Sequence, residues 1–100
     1  MDRGIEQLIN DFTVKAQKLF TSSFENFRNS TKKLDRQEDE NVFQLQLGKY
    51  LKTLKLQLEN IASELVTKNK SIKNSGQLVK LLGNQILIYL GEFRQKARSL

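Results

Sequence analysis

The side chains that could take part in catalysis are serines next to lysine or glutamate. Ser71 lies beside Lys70 and two residues before Lys73, and Ser63 precedes Glu64. A lysine or a carboxylate can act as the base that activates a serine nucleophile, but only in a pocket that alters its protonation. Serine and lysine are common in this chain, so such pairs are expected by chance. We therefore predict no catalytic residue and no enzymatic activity.

Several residue types on which cofactor and metal sites depend are missing. The sequence has no cysteine, histidine, proline or tryptophan. Without thiolates and imidazoles there can be no Cys/His zinc site, no disulfide, no thiol nucleophile and no imidazole base. A chain of 100 residues buries only about two-thirds of its unfolded surface, and most of that burial makes the fold. We predict no cofactor and no metal.

Positive charge is concentrated in the second half of the chain. Residues 1–46 hold 7 Lys and Arg against 8 Asp and Glu, whereas residues 47–100 hold 10 against 3. Eighteen residues make five helical turns, so lysines spaced by that interval share one flank of a helix. Basic patches attract phosphate groups. The candidate anion-binding residues are Lys52, Lys55, Lys70, Lys73, Arg94, Lys96 and Arg98.

These basic residues support an alternative function, which is non-specific binding of nucleic-acid phosphates by the C-terminal half. No helix-turn-helix spacing, RNA-stacking aromatic motif or glycine-rich phosphate loop accompanies them. The same lysines also suit a solvated helix face and the negative ends of helix dipoles. Nucleic acid is therefore a possible partner that no motif supports.

The clearest pattern is a leucine-rich seam in the middle of the chain. Its members alternate steps of four and three residues, as the a and d positions of a heptad repeat do. Such a seam packs either against other helices of the same chain or against another chain, and the pattern does not decide between them. The seam consists of Leu47, Leu51, Leu54, Leu58, Ile61 and Leu65. The residues that we expect opposite it are Leu82, Ile86 and Phe93.

Three helical segments follow from the apolar spacing. We predict one domain over 1–100, with helices at about 2–29, 41–73 and 77–99 and a polar connector at about 28–40. The apolar face of the first segment contains Ile5, Ile9, Phe12, Ala16, Phe20, Phe24 and Phe27. The apolar face of the third contains Val79, Leu82, Ile86, Tyr89 or Leu90, Phe93, Ala97 and Leu100.

Two features of these segments leave alternatives open. The runs 43–47 and 54–58 alternate apolar and polar residues, as a β-hairpin would, but leucine, glutamine and lysine favour helix and the heptad continues through both runs. Gly83 and Gly91 each cost about 1 kcal/mol inside a helix. They therefore indicate either close approach of another helix or a functional bend.

The fold class that we predict is all-α, an elongated helical hairpin or three-helix bundle with coiled-coil character. Its predicted function is that of a non-enzymatic scaffold subunit, which oligomerises or joins a larger complex through the seam. The partner would be a second copy or another helical protein. The longest apolar run is Ile86–Leu90, far short of a membrane span. Acids and bases balance along the first segment, so we do not expect membrane-surface binding. No signal peptide is recognised, which predicts a cytoplasmic or nuclear protein.

Overall fold

The chain folds into three long α-helices. The computed structural model describes residues 3–35, 37–68 and 75–100. Within these ranges there is no strand, so the alternating runs 43–47 and 54–58 are turns of a helix. The prediction of an all-α three-helix bundle is confirmed. The helices are α1 (Arg3–Thr31), α2 (Glu40–Lys68) and α3 (Ser75–Arg98).

The helices run up, down and up around a shared core. The short segment between α1 and α2 makes α2 fold back along α1. As a result, the ring centroids of Phe27 and Phe43 lie 5.3 Å apart. α3 runs parallel to α1. The ring centroids of Phe12 and Tyr89 are 6.5 Å apart, and those of Phe27 and Phe93 are 5.5 Å apart. Residues later in α1 therefore contact residues later in α3. Each helix contacts both of the others.

The segment between α1 and α2 is 32–39, which is shorter than the predicted connector, 28–40. α1 continues to Thr31 because its last turn remains packed, with Thr31 itself buried. The turn that follows is held locally, since the Asp35 carboxylate accepts a hydrogen bond from the backbone N–H of Gln37 at 2.9 Å. Such side-chain-to-backbone bonds favour a turn over further helix.

The interior is apolar and rich in aromatic rings. Phe12, Phe20 and Phe27 are buried and Phe24 is partly buried, so the apolar face predicted for the first segment packs into the core. The largest side chains with almost no exposure come from all three helices. They are Phe12, Phe27, Phe43, Phe93, Ile5, Leu54, Leu58, Leu78 and Leu82.

The start of α3 differs from the prediction. Leu78 is buried and Val79 is 53% exposed, so Leu78 takes the core position assigned to Val79. At the other end Leu100 is 45% exposed, so its assignment to the apolar face of α3 was also wrong. The predicted end of the second helix, 69–73, lies outside the described residues. α3 begins at Ser75, two residues before the predicted start at 77.

The molecule is a rod, as helices of this length require. Its principal extents are 53 × 19 × 18 Å and its radius of gyration is 15.9 Å, against about 13 Å for a compact domain of this size. Helices at 1.5 Å per residue that lie side by side produce this shape. Two long grooves therefore flank every helix along the rod.

Candidate interaction surface

The leucine-rich seam lies in the interior of this chain. Four of its members are buried, and Leu51 and Ile61 are partly buried against the same core. Leu82, Ile86 and Phe93, the residues expected opposite the seam, are buried in that core as well. A contact between chains through these residues stays a prediction, and so does a coiled coil. The four buried seam residues are Leu47, Leu54, Leu58 and Leu65.

The three candidate anion-binding residues of α3 do not share one side of the helix. Arg94 and Arg98 line the same depression between α2 and α3. Lys96 points to the other side of α3, where its ammonium group lies 5.5 Å from the ring centroid of Phe20 and 5.6 Å from that of Phe24. These distances fit cation–π contacts.

The four remaining basic candidates belong to α2 and to the segment after it. Lys52 and Lys55 are exposed on α2. Lys70 and Lys73 lie outside the described residues. The predicted alignment of 52 with 70 and of 55 with 73 is therefore neither confirmed nor contradicted.

Large apolar side chains are exposed on the outer faces of α2 and α3. Single exposed apolar residues are normal on protein surfaces, but Leu87 and Ile88 are adjacent and exposed by 66% and 52%. The sequence carried a signal for them, since five consecutive apolar residues at 86–90 surround a helix on all sides and cannot all face one core. The exposed apolar residues of these two helices are Val42, Leu45, Leu56, Val79, Leu87 and Ile88.

An apolar depression of about 350 Å³ lies between α2 and α3. Ala62 and Val66 of α2 and Val79 and Gly83 of α3 are among its lining residues. A Cβ atom placed on Gly83 would meet nothing within 4 Å. No helix of this chain therefore approaches Gly83 closely, and α3 passes through it without a break.

A second depression of about 240 Å³ lies between the same two helices near the other end of the rod. Its lining combines Leu51 and Gly48 of α2 with Arg94 and Arg98 of α3. The backbone at Gly48 also leaves room for a Cβ atom, with nothing within 4 Å. This second depression is therefore open and positively charged.

The residues in the described ranges provide no cluster of three or more acidic side chains that could bind a metal ion. In the same ranges, no helix combines the length and hydrophobicity needed to cross a membrane. The described surface of α2 and α3 carries exposed apolar side chains and the arginines Arg94 and Arg98.

Comparison with protein-family models, with curated proteins and with solved structures found no match for this chain.

Proposed function

We propose that this protein is a non-enzymatic interaction subunit of the cytoplasm or nucleus, which joins a larger complex by binding another helical protein. The observation that carries this proposal is that large apolar side chains remain exposed although the core of the bundle is complete. Leu54 and Leu58 are fully buried within the chain, whereas Leu56 and Leu87 are exposed by 54% and 66%. Contiguous exposed apolar area is typical of protein-binding surfaces, and Leu87 and Ile88 are adjacent and both exposed.

The seam has an indirect role in this proposal. By packing against α1 and α3 it holds the rod together and fixes the outer faces of α2 and α3. Leu45 and Leu56 are eleven residues apart, which is about three helical turns, so they lie on the same outer face of α2. Two separate helices thus present apolar side chains to a partner, and the rod shape gives that partner a long surface.

Photocrosslinking tests this proposal. A benzophenone side chain is introduced in place of exposed Leu87, and a matched control carries it in place of Lys18, an exposed residue of α1. In cells that produce the protein we expect discrete protein adducts from the Leu87 position and none from the Lys18 position. Equal adducts from both positions, or none from Leu87, Leu56 and Leu45 in turn, would contradict the proposal.

A second candidate function is phosphate binding, because Arg94 and Arg98 share one depression with Gln44. Binding of nucleic acid through such a site should weaken steeply as salt rises, since counterions are released from the phosphates. Titration of a DNA duplex and of a single-stranded RNA into the protein measures this dependence. The double variant Arg94→Glu/Arg98→Glu should lose the binding, while Lys96→Glu should retain most of it. Absence of binding at low salt would exclude this candidate.

A further inference from the structure

The two depressions lie at opposite ends of the junction between α2 and α3. On α2, Gly48 lines one depression and Ala62 lines the other, and Lys55 lies midway at an interval of seven residues from each. Residues seven apart lie on nearly the same face of a helix. On α3, Gly83 and Arg94 line the two depressions. The two helices are antiparallel, so both depressions lie along the same junction, which we call the groove.

We propose that this groove binds an amphipathic α-helix of a partner protein, whose apolar stripe is flanked by acidic side chains. This assignment rests on the proposed function and names the chemistry of its partner. Helix-in-groove docking uses apolar anchors about one turn apart on the bound helix. The occupied groove would turn the three-helix bundle into a four-helix arrangement.

The lining of the groove matches the apolar stripe of such a helix. Ala62, Val66 and Val79 form its wall at one end, and Leu51 contributes at the other. Gly48 and Gly83 are open above the backbone, with nothing within 4 Å of a Cβ position. Small residues at these points let a docked helix come close to α2 and α3. The apolar lining at the Gly83 end favours a protein helix over a phosphate backbone.

Positive charge at one end and in the middle of the groove favours an acidic partner. Arg94 and Arg98 lie at one end, and exposed Lys55 lies midway. Among the described residues that line the two depressions, the one acidic side chain is Glu59. Like charges disfavour a second copy of this chain, since its formal net charge is +6. Electrostatic complementarity therefore favours a foreign helix with glutamates or aspartates beside its apolar stripe.

The length of the groove sets the length of the partner helix. The lining extends from Phe43 to Thr67 along α2, which corresponds to roughly 36 Å, or a helix of about 24 residues. A designed peptide of that length is therefore a suitable probe. One version carries leucine and alanine on its apolar stripe with glutamate on both flanks, and the other replaces each flanking glutamate by lysine.

The experiment measures fluorescence anisotropy of each labelled peptide with the full chain. We expect the glutamate peptide to bind at least about tenfold more tightly than the lysine peptide. A Cβ atom at Gly83 meets nothing within 4 Å, so we expect Gly83→Leu to place its side chain in the groove and to remove binding. Gly91→Leu makes the same change on α3 at a residue that lines neither depression, so it should leave binding intact. Circular dichroism of both variants confirms that each is folded.

Three outcomes would overturn the groove assignment. These are equal binding of both peptides, unchanged binding to Gly83→Leu, and absence of binding by the glutamate peptide. A dimer in light scattering that Gly83→Leu dissociates would instead identify a second copy as the occupant. The proposed function is tested separately, because adducts from the Leu87 photocrosslinker would persist if the groove assignment failed and the partner used another face.

Discussion

Leu54, Leu56 and Leu58 provide a sharp test of how α2 is packed. In a β-strand, residues two apart share one face, so the three leucines would be equivalent. In α2 the two outer members are fully buried, whereas Leu56 is 54% exposed, because a step of two residues rotates about 200° around a helix. Single substitutions Leu54→Ala, Leu56→Ala and Leu58→Ala should therefore have unequal effects.

The expected magnitude follows from burial. Leucine-to-alanine substitution removes three carbon atoms from the core at Leu54, which costs about 2.4 kcal/mol in transfer free energy at about 0.8 kcal/mol each. The cavity that remains raises the loss of unfolding free energy to about 3 kcal/mol, within the usual range for buried leucine. The same loss is expected for Leu58→Ala. Leu56→Ala should change stability by less than about 1 kcal/mol.

Urea unfolding followed by far-UV circular dichroism measures these differences. The double variant Leu54→Ala/Leu58→Ala should lose about 5 kcal/mol, which approaches the whole stability of a small domain, so the single variants are the more informative pair. If Leu56→Ala costs as much as Leu54→Ala, or if neither costs more than about 1 kcal/mol, then the packing described for α2 is wrong.

Three further results are expected. Gly91→Ala should raise the unfolding free energy by about 0.5–1 kcal/mol, because a Cβ there meets nothing within 4 Å and alanine favours helix; a loss in urea unfolding would contradict this. The ε-methylene protons of Lys96 should be shifted upfield in NMR spectra by the rings of Phe20 and Phe24, unlike those of an exposed lysine; random-coil shifts would exclude the contact. Phe27→Ala should cost about 3–5 kcal/mol in thermal unfolding, because this buried ring contacts rings on both other helices; a loss under about 1 kcal/mol would contradict the described core.

The fold was predictable from the sequence because helical periodicity and helix propensity agree over most of the chain. The seam from Leu47 to Leu65 and the phenylalanines of α1 mark the core faces directly. Periodicity failed where two adjacent apolar residues fit equally well, as at Leu78 and Val79. Only contacts with the other helices decide which of those two faces inward.

The candidate surface was less predictable, because the same amphipathic stripe serves a core within a chain and an interface between chains. The burial of Leu54 and Leu58 depends on α1 and α3 lying beside α2, which no local pattern specifies. The groove between α2 and α3 likewise joins residues that are distant in sequence, such as Gly48 and Arg94.

The basic residues near the C-terminus illustrate a signal that helical geometry could have resolved. Arg94, Lys96 and Arg98 are close in sequence, but two residues correspond to about 200° around a helix. Lys96 therefore contacts the aromatic rings of α1, while the two arginines line the groove. Spacing along a helix, rather than local charge density, determines which cations can act together.

The most direct test of this interpretation is the mass of the isolated chain in solution, measured by light scattering after size exclusion. If the seam closes a core within one chain and the groove awaits an acidic helix, the mass should be 11.6 kDa at low and high salt and across a wide concentration range. A larger species that persists at both salts, and that Leu54→Ala dissociates while Leu56→Ala does not, would place the seam between chains and contradict the interpretation.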